Sequence, residues 1–282
     1  MSESEPISAT SSRTRRRRGR AATATPDRAS NYAQLRNPFP TMSVFSEDEA
    51  EAIHTTALKM LEELGMRVLL PEARALFSAG GARVEDDMVF VGREIVEAAI
   101  ASAPKSIHCH AGARGKDVFL ELGGLAFQAG AGAPHATDLK RGRRPGSADD
   151  FLDYTRIADH FDVLQMMSPS VEPQDVPTHL RHFFTTRTKM EHTDKFPFLF
   201  ARGTPQTLDN FEMLSLARVL DEDTLRNDVY EYTVINTNST RTIYVTIEQC
   251  MIDFARWGQL SIITTFTLMG AMAPITVAGA IT

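Results

Sequence analysis

Two rhythms divide the apolar positions of the chain. Ser46 and Glu49 form a capping box, in which the Ser oxygen can accept from the amide three residues on while the Glu reaches back. Ile53, Ala57, Met60, Leu61 and Leu64 then fall on one helical face, and Gly65 supplies the stop. A second helix is predicted from Pro71 to near Gly80 and Gly81. Residues 83–91 read as a hairpin turned at the acidic pair Asp86 and Asp87, and residues 93–102 as a short helix that ends before Pro104.

From about Lys116 the rhythm changes to strand, loop and helix, repeated at a spacing of about 35 residues. Strands are predicted at residues 125–129, 163–167, 198–201, 230–235 and 260–265. The helices between them carry start signals: Ser147 ahead of Asp149 and Asp150, Pro177 as a first-turn proline, and Thr204 with Pro205 as cap and first residue. Trp257 and Gly258 end the fourth helix. Repeated βα units imply a parallel sheet, either doubly wound or part of a (β/α)₈ barrel. A dinucleotide site is disfavoured, because residues 130–134 (GAGAP) lack the third glycine of the phosphate-binding turn and meet a proline where the helix should begin. The expected organisation is an Arg-rich disordered tail at residues 1–40, a helix-rich accessory region at 41–116, and a run of βα units at 117–282. The expected fold class is α/β, with about five βα units behind a helix-rich extension.

Charge sharpens the first of these boundaries. The net charge is −6, yet residues 1–30 hold seven Arg against three acids, which leaves about −10 on the remainder. An acidic body argues against a nucleic-acid partner, and the Arg cluster has no apolar face with which to pack. No apolar run follows the arginines, so the tail is not a secretion signal. Residues 260–282 carry no charge and are long enough to span a bilayer. Pro274, the glycines and threonines of that stretch, and the β-branched run at 262–265 favour instead a buried strand followed by the start of a helix, so no membrane partner is expected. The two cysteines, Cys109 and Cys250, lie far apart without a partner pattern, as expected in a reducing cytoplasm. His108 and His110 flank Cys109, but strand alternation throws the cysteine to the opposite face, so one strand cannot supply three metal ligands and no metal is expected.

Five blocks, in order, carry a family resemblance: residues 138–146 (DLKRGRRPG), 171–177 (VEPQDVP), 234–239 (VINTNS), 252–256 (IDFAR) and 270–279 (GAMAPITVAG). Together they resemble the trimethylamine methyltransferase family, whose members move a methyl group from a methylated amine to a corrinoid protein. The resemblance implies the barrel form, with residues 117–282 as the N-terminal part of an incomplete TIM-type (β/α)₈ barrel of about five βα units, a corrinoid carried by a partner protein rather than bound directly, and a methylated amine substrate, either trimethylamine or a quaternary amine such as glycine betaine. Some members of the family carry pyrrolysine in the barrel; that position lies beyond Thr282, so no catalytic residue is carried over. An alternative is a truncated, catalytically inactive family member acting at most as a binding or interaction protein, whose unpaired last strand would favour self-association into a homo-oligomer.

In a barrel the residues just after each strand form the site. Here they are polar: Gln128 and His135, then Glu172, Gln174 and Asp175, then Arg202, then Asn236, Thr237 and Asn238, then Thr265 and Thr267. Alternation puts Asn236 and Asn238 on one side, where two carboxamides could bind a carboxylate; the other reading is an Asx-type turn. Glu172 could face an ammonium, whereas Asp175 reads better as a helix cap. Phe127, Phe200, Tyr232 and Phe266 could cage a cation or simply fill the core. The candidate substrate-binding set is Asn236, Asn238, Glu172, Gln128 and Phe266. An aldolase-type lyase is disfavoured because none of the five predicted strands carries a lysine.

Overall fold

The computed structural model describes residues 31–40, 42–237, 241–265, 267–271 and 273–281. Its first layer opens with β1 (Leu35–Arg36), α1 (Glu47–Lys59) and a π turn at Met60–Leu64, followed by β2 (Met66–Val68), α2 (Pro71–Ala79), β3 (Arg83–Glu85), β4 (Met88–Phe90) and α3 (Arg93–Ser102). The Ser46 capping box forms as predicted, with both reciprocal bonds present. The α1 residue most deeply buried is Leu58, whereas Leu64 at the end of the predicted face is exposed. β3 and β4 pair antiparallel about the acidic turn, and Val68, Ala73, Ala82, Val89 and Val91 close a small core beneath α2.

Gly65 earns its place at the end of the π turn. Its φ is +62°, and a side-chain carbon there would lie 2.7 Å from the Val89 carbonyl and 2.9 Å from the Phe90 ring. Gly65→Ala is expected to cost about 2–4 kcal/mol from left-handed strain plus overpacking. Urea unfolding of the two proteins checks it, and a difference within error would contradict this account of the turn.

β5 (Ser106–Cys109) and β6 (Val118–Glu121) form an antiparallel pair, and β7 (Gly124–Leu125) pairs antiparallel with β1. Residues 35–36 were expected within the disordered tail. They are strand instead, because the Gln34 amide bridges both backbone groups of Phe119 and Arg36 pairs with Glu121. Residues 1–30, with the Arg cluster, lie outside the described residues.

The remaining elements are β8 (His135–Asp138), β9 (Gly142–Pro145), α4 (Ala148–His160), β10 (Met166–Met167), α5 (Arg181–His192), β11 (Phe196–Pro197), α6 (Gly203–Arg218), α7 (Glu222–Asn227), β12 (Tyr232–Thr237), β13 (Thr242–Ile243), α8 (Val245–Arg256), β14 (Leu260–Thr265) and α9 (Val277–Ile281). Parallel contacts run in chain order. Gln128 bridges Met166, β10 pairs β11, Phe198 bridges Tyr232, and β12 pairs β14 over six residues. The fold is thus mixed α/β with several small sheets, and the described residues form no closed barrel.

Several predicted boundaries shift. The strand expected at residues 125–129 is reduced to β7 and the single bridge at Gln128, since Gly130, Gly132 and Pro134 follow at once. The strand expected at 198–201 gives way to β11 at Phe196–Pro197 with only a single bridge at Phe198, and of the strand expected at 163–167 only Met166–Met167 remain as β10. Pro177 leads into a 3₁₀ turn at Thr178–Leu180 rather than the first turn of α5, and α6 starts at Gly203 with Pro205 third, where the missing N–H is still an unpaired one. A hairpin not anticipated, β8–β9, occupies residues 135–145. Asp138 accepts the amides of Lys140 and Arg141, and the Arg141 backbone bond heads the causes that pull its carboxyl down to about 2. Arg144 then ties the hairpin to Asp150 in the second capping box, at Ser147.

Alternation gives the parallel strands two faces. One carries Met166, Phe196, Phe198 and Tyr232, which pack with Cys109 and Val118 below and with Val234, Leu260 and Ile262 alongside. The other face turns Leu199 toward Phe211, Leu214, Leu225 and Phe254 on α6, α7 and α8. β13 joins β2 in parallel, and Glu248 on α8 accepts the amides of Leu69 and Leu70, so the accessory layer is tied to the loop after β12. The uncharged stretch after Gln259 is β14 and the five-residue α9, and no helix among the described residues is long and apolar enough to cross a membrane.

Candidate functional site at the C-terminal ends of the parallel strands

Where the apolar face ends, its rows turn polar. In the register of β12 and β14, Tyr232 lies beside Leu260 and Val234 beside Ile262, and the next pair along is Asn236 with Thr264. The Thr264 hydroxyl donates to the Asn236 carboxamide oxygen, which leaves the Asn236 amide hydrogens directed elsewhere. Gln128 continues the same face from the other side, its carboxamide oxygen accepting from the Tyr232 hydroxyl at 2.7 Å. Ser168, following β10, is buried and donates to the Ala129 carbonyl at 2.5 Å. Burial pushes the Tyr232 hydroxyl far above its usual pKa, so it serves as a donor that fixes Gln128 rather than as a base.

Two cavities open at these strand ends and share Phe200 and Arg202. The first, of about 230 Å³, is lined by Phe151, Glu172, Arg181, His182, Phe200 and Arg202 among others. The second, of about 270 Å³, runs along β12 past Val234 and Asn236 to Cys250. Arg202 is exposed, with its guanidinium carbon 5.2 Å from the Phe200 ring centre. Among the described residues it has no carboxylate within ion-pair distance, whereas Arg181 holds Glu172 at 3.4 Å. Among the described residues the site therefore combines a compensated ion pair, an aromatic face and a cation without a carboxylate partner.

The predicted residues distribute as follows. Glu172 lines the first cavity, and Asn236 the second. Gln128 joins the same strand face through Tyr232. Asn238 and Phe266 lie outside the described residues. Asp175 does cap a helix, but it caps α4, accepting from Ala148 N–H at 2.9 Å, and not the turn that follows Pro177. Of the proposed cage aromatics, Tyr232 is wholly in the core, while Phe200 faces the cavities. His135 is exposed and sits against Arg143 on the hairpin, away from these cavities. His182 went unanticipated: it is buried on α5, its Nε2 is 2.8 Å from Asp209, and its Nδ1 has no hydrogen-bond partner among the described residues. Nothing in the spacing of the chain distinguishes it from seven other histidines.

Both cysteines are buried, free and pushed toward the thiol form by burial, Cys109 to about 12. Neither is poised as a nucleophile.

The sequence matches the family described as trimethylamine methyltransferase (MTTB) over residues 12–282. The chain belongs to that family. Among curated proteins, a glycine betaine methyltransferase of Desulfitobacterium hafniense (strain Y51) is 26% identical over 244 residues, covering 86% of this chain and 50% of that protein. The trimethylamine methyltransferase MttB of D. hafniense (strain DSM 10664 / DCB-2) is 28% identical over 243 residues, covering 83% and 48%. An L-carnitine:corrinoid methyltransferase of Eubacterium limosum is 25% identical over 124 residues, covering 44% and 25%. This family member thus spans about half the length of the first two relatives. Of the five blocks that carry the resemblance, 171–177 and 234–239 contribute Glu172 and Asn236 to the two cavities, while 138–146 is the hairpin and 252–256 lies in α8.

Proposed function

We propose that the chain carries the first five βα units of a (β/α)₈ methyltransferase barrel that transfers a methyl group from a methylated amine to a corrinoid protein, and that the amine is a quaternary, carboxylate-bearing one of the glycine betaine type. Support for the barrel comes from the in-order parallel contacts and from the placement of polar residues at the strand C-terminal ends. The observation that carries the substrate reading is Arg202, a cation without a carboxylate partner among the described residues, at the junction of two cavities. Its planar fork suits a carboxylate, and the Asn236 amide stands in the adjoining cavity as a neutral donor.

A quaternary nitrogen has no N–H to donate, so recognition falls to ring faces and to a nearby anion. Phe151, Phe200 and Glu172 around the first cavity offer both. The acceptor is a corrinoid carried by a partner protein, a strong nucleophile when reduced, so the chain's own residues have to bind and orient the amine and keep water from it. Mixing the chain with free cob(I)alamin and a panel of methylated amines, and following the corrinoid absorbance, tests the reading. Transfer from glycine betaine faster than from trimethylamine is expected. Transfer from no amine, with or without a corrinoid protein, would contradict it.

A second reading is that these 282 residues have no transferase activity and act as a binding or interaction protein. It is favoured by β14, whose only strand partner among the described residues is β12, and by exposed apolar residues at Ile263, Met269, Ile275, Val277 and Ile281. Size-exclusion chromatography coupled to light scattering separates the two readings in part: concentration-dependent self-association supports the second, and a monomer with a cooperative melt counts against it.

A further inference from the structure

We infer that His108, His110 and Asp117 form a site for a divalent zinc-class cation, at the N-terminal end of the parallel strands and remote from the cavities above. Alternation along β5 puts both histidines on one face, with Cys109 buried on the other. The third group comes from the neighbouring strand. Cys109 lies opposite Val118, so the next pair along the ladder sets Asp117 opposite His110. One ligand atom from each of the three falls within 4.8 Å of the other two.

The spacing suits a small ion. Zinc bound to imidazole nitrogen and carboxylate oxygen in a tetrahedron needs ligand atoms about 3.3 Å apart. Asp117 Oδ2 is 2.8 Å from His108 Nε2 and 3.8 Å from His110 Nδ1, so a cation between them requires shifts of only about half an ångström. Two imidazoles and one carboxylate match the preferences of zinc rather than of magnesium or calcium.

The surroundings hold these groups in place. Asp117 Oδ1 accepts the Ala111 amide at 2.9 Å, which leaves Oδ2 for the ring nitrogens. Phe119 stacks on the His108 ring at 4.5 Å, and Tyr230 on the His110 ring at 5.0 Å. Asp228 stands 3.7 Å from His110 Nε2, the nitrogen facing away from Asp117, in the position of an outer carboxylate that orients a ligating imidazole. The three residues are partly exposed, so water can complete the coordination.

The position makes the ion a staple. Cys109 bridges Val229 and His110 N–H donates to the Val229 carbonyl at 2.7 Å, just ahead of β12, so a metal on His110 would lock the β5–β6 hairpin across the start of that strand. Isothermal titration of the metal-free chain with Zn²⁺, paired with thermal melts, tests the site. Wild type should bind one ion and melt higher with it, both effects should vanish in His108→Ala and in Asp117→Asn, and Asp228→Asn should weaken binding by roughly 10-fold. The Co²⁺ absorption of wild type gives a reading that does not depend on any variant folding: bands of a tetrahedral nitrogen and oxygen site support the assignment. Zinc binding that is absent, or equally strong in folded variants because other histidines supply it, would overturn it.

Discussion

Arg202→Ala should weaken glycine betaine binding by about 10- to 150-fold while leaving trimethylamine binding nearly unchanged. The factor follows from losing one charge-assisted interaction with a carboxylate, about 1.5–3 kcal/mol, at tenfold per 1.4 kcal/mol. Trimethylamine has no carboxylate, so it provides the internal control that distinguishes lost recognition from a damaged pocket. Arg202 is exposed and its side chain makes no ion pair among the described residues, so the unfolding free energy should hold to within about 0.5 kcal/mol, as is typical of surface changes. Arg202→Lys should recover part of the loss, since the charge returns but the planar fork does not. Calorimetric titration of both amines into the three proteins makes the measurement. Equal losses for the two amines would mean that Arg202 shapes the cavity and does not read a carboxylate.

The largest stability effect is expected between α5 and β12. Lys189 is fully buried, and its ammonium donates to the Phe198 carbonyl. Glu231, directly before β12, is also fully buried, and neither of its carboxyl oxygens has a hydrogen-bond partner among the described residues. Burial is the main cause in both directions: it brings Lys189 down to about 7 and raises Glu231 well above the usual carboxyl range, each countered in part by the other's charge. Lys189→Met leaves the carboxyl alone, at a cost of about 3–5 kcal/mol where it must ionise.

The pH dependence fixes which partner matters. A lone Glu231 has a folded pKa above its unfolded one, so its contribution is fully present below about 4.5 and is lost as pH rises through the folded value. Lys189→Met should therefore be nearly harmless at pH 5 and severe at pH 8. Glu231→Gln leaves a lysine whose folded pKa lies below its unfolded 10.5, and that stability is lost as pH falls through the folded value. This variant should suffer toward acid instead. The double variant Lys189→Met/Glu231→Gln should be flat across the range and more stable than Lys189→Met alone at pH 8. Urea unfolding of the four proteins at pH 5, 6.5 and 8 decides it, and parallel pH profiles for the two single variants would refute the coupling.

How much of this was readable from the chain depended on the range of the interactions. The capping box at Ser46 and the helix start at Ser147 are local, and both form, the second as a further capping box with Asp150. β14 falls at its predicted residues because a β-branched run has few other uses. The β8–β9 hairpin was illegible, since residues 138–146 look like a charged loop until Asp138 and Asp150 are seen to gather Arg141 and Arg144. Pairings across tens of residues left no local mark either. His182 meets Asp209 from the next helix, and Asp117 reaches the two histidines only because β5 and β6 lie side by side. The spacing rule applied to His108 and His110 considered one strand, and Asp117 stands at the edge of the next, opposite His110.

The most direct test is a crystal structure of the chain with glycine betaine. The account predicts the ligand at the C-terminal ends of the parallel strands, its carboxylate on the Arg202 guanidinium and its trimethylammonium group against Phe200 on the side of Glu172. Ligand ordered at another surface, or its carboxylate turned away from Arg202, would contradict it.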